Sequence, residues 1–167
     1  MASRRKGRIL AFQALYSWDA HYSRTGDASI PEGLLDFSWT LKADEKPVHT
    51  DELTAFSRLL VTGTVENIAD IDSTIQKHLK NWDLVRLNRV DLAVLRMSVY
   101  TLMFQTDMPS SIVIDEAIGI AKEFGADDSY RFVNGVLDSI RKTLEVTASN
   151  KATVSPASNP PDRTKND

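Results

Sequence analysis

Three observations predict an all-α fold. Segment 85–105 places Leu87, Val90, Val94, Leu95, Ser98, Val99, Leu102 and Met103 in helical phase, and Leu92, Tyr100 and Phe104 add apolar surface on other sides. A helix that is apolar on most of its circumference is surrounded by other helices. Elsewhere, apolar residues recur at three- and four-residue steps, the signature of one buried face per helix. Few stretches read as strands. The expectation is about seven helices joined by short loops.

The first helix is expected over 3–22, with Ala11, Ala14, Leu15, Trp18 and Tyr22 on one face, and Arg24-Thr25-Gly26-Asp27 breaks it. A shorter second helix is expected from Pro31, a favourable first-turn residue, carrying Leu34, Leu35, Phe37, Trp39 and Leu41. Residues 42–47 form a polar loop. The third helix opens at Thr50, with Asp51 and Glu52 in its first turn and Leu53, Phe56, Leu59, Leu60 and Gly63 on its buried side. The fourth covers 65–79, with Val65, Ile68, Ile71 or Asp72, Ile75 and Leu79 in phase. The fifth is the hub at 85–105, stopped by Met108-Pro109. The sixth spans 112–124, capped by Ser110 or Ser111, with Ile114, Ala117, Ile118 and Ala121 inward and Gly125 as its end. Asp127 or Asp128 caps the seventh, whose buried face is Phe132, Val133, Val136, Leu137, Ile140 and Leu144. The helical domain is placed at 1–145. From 146 to 167 the chain is polar and proline-containing, too poor in apolar residues to offset its ordering entropy, and is expected to be a disordered tail.

Composition narrows the function. The chain has 167 residues, 42% of them hydrophobic, and no cysteine, which excludes disulfides, thiolate catalysis and thiolate metal sites. No segment has the length of uncharged apolar sequence that spans a bilayer, so the cytoplasm is expected and no membrane partner. His21, His49 and His78 lie in separate segments without ligand-like spacing, and no phosphate-loop, nucleophile-elbow or zinc-protease motif is present. The expectation is no enzyme, no metal and no cofactor.

Charge is distributed unevenly. Net charge is −3, yet the first eight residues carry +4 through Arg4, Arg5, Lys6 and Arg8, leaving −7 on the rest. Cations at a helix N-terminus oppose the macrodipole, which suggests a bound polyanion as counterweight; a solubilising tail is the plainer alternative. Tyr16 lies off the main stripe, roughly in line with Phe12 and Ile9. A ring behind basic residues provides the stacking and phosphate contacts that single-stranded nucleic acid needs. Tyr130-Arg131-Phe132 is a second aromatic-basic cluster, with Phe132 explained most economically as core. Arg96 is assigned to structural pairing with Asp83, Asp91 or the acidic sixth helix, whereas Arg86 and Arg89 fit either role.

Three segments in order resemble the NusB family of bacterial transcription antitermination factors. They are the basic cluster with Ala11-Phe12-Gln13-Ala14-Leu15-Tyr16-Ser17-Trp18; Leu87 to Tyr100 with Asp107-Met108-Pro109; and Ile114-Asp115-Glu116-Ala117-Ile118 with Ala121 to Gly125, then Ser129 and Phe132 to Asp138. The resemblance implies two small helical subdomains, binding of single-stranded boxA RNA jointly with NusE (a small-subunit ribosomal protein), and a larger assembly with other Nus factors and RNA polymerase that reads through terminators, chiefly in ribosomal RNA operons. It implies RNA-binding roles for Arg4, Arg5, Lys6, Arg8 and Gln13 in the first segment and for Asp128, Arg131 and Phe132 in the last, and partner-binding roles for Tyr16 and Asp91. On this basis, replacing Arg5 or Arg8 should weaken RNA binding without loss of stability. Gly7, interrupting the basic run, and Gly119 depart from the family pattern; Gly7 is expected to loosen the arm. Two rival functions are an rRNA-modification targeting domain and a protein-interaction module without specific RNA binding.

Overall fold

A computed structural model describes residues 2–40 and 50–154. The expected loop at 42–47, His49 and the tail from 155 lie outside the described residues. Within them the fold is all-helical, in the order α1 (Ala2–Thr25), α2 (Asp51–Glu66), α3 (Ile68–Lys77), α4 (Arg89–Phe104), α5 (Ser110–Phe124) and α6 (Ser129–Thr153).

The hub is α4. Every residue from 91 to 99 is buried, and the helix packs against each of the other five. One half of the molecule is α1 on α2, the other is α5 on α6, and α4 lies between them. The α1 face forms as expected: Ala11, Ala14, Leu15 and Trp18 are fully buried, and Tyr22 stacks on Trp18 at 4.5 Å. Thr50 caps α2 by accepting from the Leu53 amide.

Close helix approach depends on two glycines. A Cβ at Gly63 of α2 would fall on the ring of Tyr100 of α4, and one at Gly7 of α1 would lie 2.6 Å from Phe56 of α2. Gly7 is therefore a packing residue that seats α1 on α2, where the buried Ser57 hydroxyl lies 3.0 Å from the Gly7 carbonyl. The expectation that Gly7 loosens the basic arm is corrected: α1 runs unbroken through it.

Other boundaries differ for local reasons. The helix expected from Pro31 is two short 3₁₀ turns, Leu34–Asp36 and Ser38–Thr40. Gly33 at φ 80° and Phe37 at φ 54° are left-handed, and each interrupts helical hydrogen bonding. Leu59, assigned to the buried side of α2, is 49% exposed, while Ser57, Val61 and Thr64 face inward. Pro109 occupies the α5 cap position, and no serine side chain caps it. Asp128 precedes α6 without a side-chain cap bond; instead, the Ala126 amide donates to the Ser129 hydroxyl at 3.0 Å. Gly125 ends α5 at φ −89°, so close packing rather than a left-handed turn explains it: a Cβ there would lie 2.6 Å from the Ala121 carbonyl. Helix α6 continues past 145 to Thr153, so the first part of the expected disordered tail is helical.

Arg96 forms the main interior ion network. Its Nη1 donates to Asp19 at 2.7 Å, and its Nε and Nη2 grip Asp72 at 2.8 and 2.9 Å. Burial depresses its pKa, but the bonds and charge of Asp72, then Asp19, outweigh that and hold it above its ordinary value. Structural pairing is as expected; the partners are on α1 and α3, not Asp83, Asp91 or α5.

Candidate nucleic-acid interface

The basic run starts inside α1, whose first turn contains no acidic residue. Helical geometry then splits it. Arg4, Arg5 and Lys6 are exposed, but Arg8 is only 6% exposed. The Arg8 guanidinium lies 5.4 Å from the Phe56 ring, and its Nη2 is 2.9 Å from Met108 Sδ. Burial pulls its pKa down against the charge of Glu116, which holds it up. This corrects the grouping of Arg8 with the freely exposed cations: it packs between α2, α5 and the loop before α5. Arg4, one turn earlier, lies 5.9 Å from the same ring but remains exposed. Arg5 projects the other way, onto α5, where its Nη2 meets Glu123 at 3.2 Å.

A second charged patch surrounds Tyr130 at the start of α6. Lys122 of α5 sits 5.0 Å from the Tyr130 ring centroid. Arg131 sits 5.5 Å from the same ring, and its Nε donates to the Tyr130 hydroxyl at 2.9 Å. That hydroxyl, then the Asp128 charge, raises the Arg131 pKa. Two cations thus share one ring, beside the helix end that Arg5 reaches through Glu123. Lys122 was not among the residues expected at the site. Its place depends on the α5–α6 junction folding Tyr130 back over it, for which the sequence carries no periodic signal.

Gln13 and Tyr16 come together on a groove of about 520 Å³, lined also by Phe12, Trp39, Val90 and Phe124. Tyr16 and Trp39 are each 44% exposed there. Asp91 and Phe132 meet in a second cavity of about 280 Å³, with Trp82, Arg86, Leu87 and Asn88. Adjacent residues Val90 and Asp91 of α4 line the two cavities, so these flank the start of one helix. Phe132 is half-buried. Asp91 is buried, and its Oδ1 has no hydrogen-bond partner among the described residues. Burial raises its pKa, with the Ser129 hydroxyl partly offsetting this. Asp128 is exposed at the α6 cap.

No helix among the described residues is long and apolar enough to cross a membrane. No group of three or more His, Cys, Asp or Glu side chains among them could hold a metal ion. The class that the fold and this surface define is an all-helical protein with exposed cations and aromatic rings at one end.

The chain belongs to the NusB family, whose pattern matches residues 5–142. It is 52% identical over 141 residues to the transcription antitermination protein NusB of Treponema pallidum (strain Nichols), covering 84% of this chain and 93% of that one. It is similar to a solved structure of T. maritima NusB, with 35% identity, a TM-score of 0.68, and coverage of 83% and 90%. It is also similar to a crystal structure of antitermination factors NusB and NusE in complex with dsRNA, with 29% identity, a TM-score of 0.71, and coverage of 86% and 98%. The named relatives are transcription antitermination proteins.

Proposed function

We propose that this protein is a cytoplasmic transcription antitermination factor that binds single-stranded boxA RNA together with NusE. In this reading the pair joins other Nus factors on RNA polymerase and promotes read-through, chiefly in ribosomal RNA operons. The observation that carries it is the set of exposed cations Arg4, Arg5 and Lys6 on one end of α1, beside the Lys122–Tyr130–Arg131 patch. Arginine and lysine there neutralise phosphates, and Tyr130 and Phe132 offer faces for unstacked bases. Asp128 lies at the edge of the same patch.

A short basic arm gives salt-sensitive affinity but little sequence discrimination. A protein partner seated on the Gln13–Tyr16 groove, or over Asp91, adds surface beside the RNA and thereby raises specificity. Gln13 faces that groove rather than the basic end, so its RNA role is that of a residue at the border of RNA and partner.

Gel-shift titration with boxA RNA and a scrambled control, each with and without NusE, tests the reading. Preference for boxA that grows when NusE is added is expected. Equal binding of both RNAs under both conditions would leave a non-specific interaction module instead.

A further inference from the structure

Gly119 lies in the interior of α5, where glycine is disfavoured relative to alanine. A Cβ at this position would fall 2.7 Å from Arg5 Nη1 and 3.6 Å from its Cζ. The Arg5 guanidinium therefore occupies the space that a side chain at 119 would fill. One turn further along α5, Glu123 accepts a hydrogen bond from Arg5 Nη2 at 3.2 Å. Both partners of this pair are roughly half exposed. The contact has a single prong, whereas guanidinium can engage an oxyanion with two parallel bonds.

We propose that Gly119 and Glu123 form a seat for Arg5, in which the Glu123 carboxylate stands in for an RNA phosphate and is exchanged for it on binding. The proposal rests on Arg5 being an RNA contact, as argued above. Gly119 supplies the room that the guanidinium occupies. Glu123 supplies a weak resident anion that keeps the fork oriented and competes with any incoming phosphate. An exposed ion pair is readily displaced, because its strength corresponds to no more than about fivefold in an equilibrium constant. The RNA phosphate gains the second prong that Glu123 does not use. Phosphate docking at Arg5 is then an exchange, and Glu123 sets its threshold.

The test is a double-mutant cycle on the full chain, read by titration of a short single-stranded boxA RNA in the presence of NusE. Glu123→Gln is expected to tighten binding about two- to fivefold, the range an exposed ion pair commands. The same change in an Arg5→Ala background is expected to have no effect. Gly119→Ala is expected to weaken binding by displacing the guanidinium, while its melting temperature holds or rises, since alanine favours the helix. Equal tightening by Glu123→Gln in both backgrounds means general repulsion of RNA by a carboxylate and overturns the exchange. Unchanged affinity in Gly119→Ala overturns the seat. If Arg5→Ala binds RNA as well as the parent chain does, the assignment of Arg5 itself fails, and this proposal fails with it. If Arg5→Ala weakens binding and the cycle is additive, the seat alone is lost.

Discussion

Arg96 and Arg5 carry the same guanidinium in opposite settings. Arg96 is buried among Asp19, Asp72 and the rings of Trp18 and Tyr22. Arg5 stands half in water with one loosely held carboxylate. The interior network satisfies its charge within the molecule and joins α1, α3 and α4. The terminal cations leave most of theirs to be satisfied from outside. Local partner density, rather than residue type, separates a cation that holds the fold from one left open to solvent. Arg8 lies between these extremes, adjacent in sequence to the second group but packed like the first.

The largest expected effect is at the interior end of this comparison. Arg96→Ala takes the main partner from the buried Asp19 and the partly buried Asp72 and should cost about 3–5 kcal/mol in denaturant unfolding. Leu95→Ala, truncating a fully buried side chain of the same helix, should cost about 2–5 kcal/mol. A change below 1 kcal/mol at either site, on the order of a surface substitution, would remove α4 from its place as hub.

Arg8→Ala should fall in the middle, at about 1–3 kcal/mol, because Glu116 has a buried oxygen and is then deprived of the Arg8 charge. Arg5→Ala should change stability by less than about 0.5 kcal/mol, yet reduce the salt slope of RNA binding by about 0.7 for each phosphate that the arginine had neutralised. Thermal melts and salt titrations of the two variants side by side sharpen the contrast. Equal stability losses would erase it.

The smallest effect is at Asp91. Its folded pKa is raised above the ordinary 3.8 by burial, so the folded state holds the proton more tightly than the unfolded one. Stability should therefore fall as pH climbs from 3.8 through the raised value, with the full penalty above it. Asp91→Asn should flatten that decline and leave neutral-pH stability unchanged or slightly higher. Urea unfolding across this pH range checks the sign, and an unaltered profile in the variant would assign the titration to another group.

What could be read from the sequence tracks how local its cause is. The apolar period of α4, the α1 stripe and the start of α2 at Thr50 are local patterns that appear as expected, although the hub begins at Arg89 rather than at 85, after a 3₁₀ turn at Leu84–Arg86. Segment 31–40 has helix-like apolar spacing, but the left-handed backbone at Gly33 and Phe37 overrides it. Arg8 looks like its neighbours because its burial depends on Phe56 and Met108, the latter 100 positions away. The Asp19–Arg96 pair spans 77 positions, so the nearer acidic residues were the natural but mistaken choice. In the same way, Gly7 and Gly119 read as helix weaknesses until Phe56 and Arg5 occupy the space beside them. At the interface, the exposed cations Arg4, Arg5 and Lys6 were legible, whereas Lys122 and the groove uniting Gln13 with Tyr16 required tertiary packing.

The first helix runs through 24 residues without interruption, a rod of about 36 Å. Its inner length is wedged into the protein body through Trp18, and its outer turn bears the positive side chains. Those side chains thus stand on a fixed mast rather than a swinging tether. Capturing a flexible strand on such a mast immobilises a few terminal rotamers and spares the backbone, so most of the ordering falls on the strand.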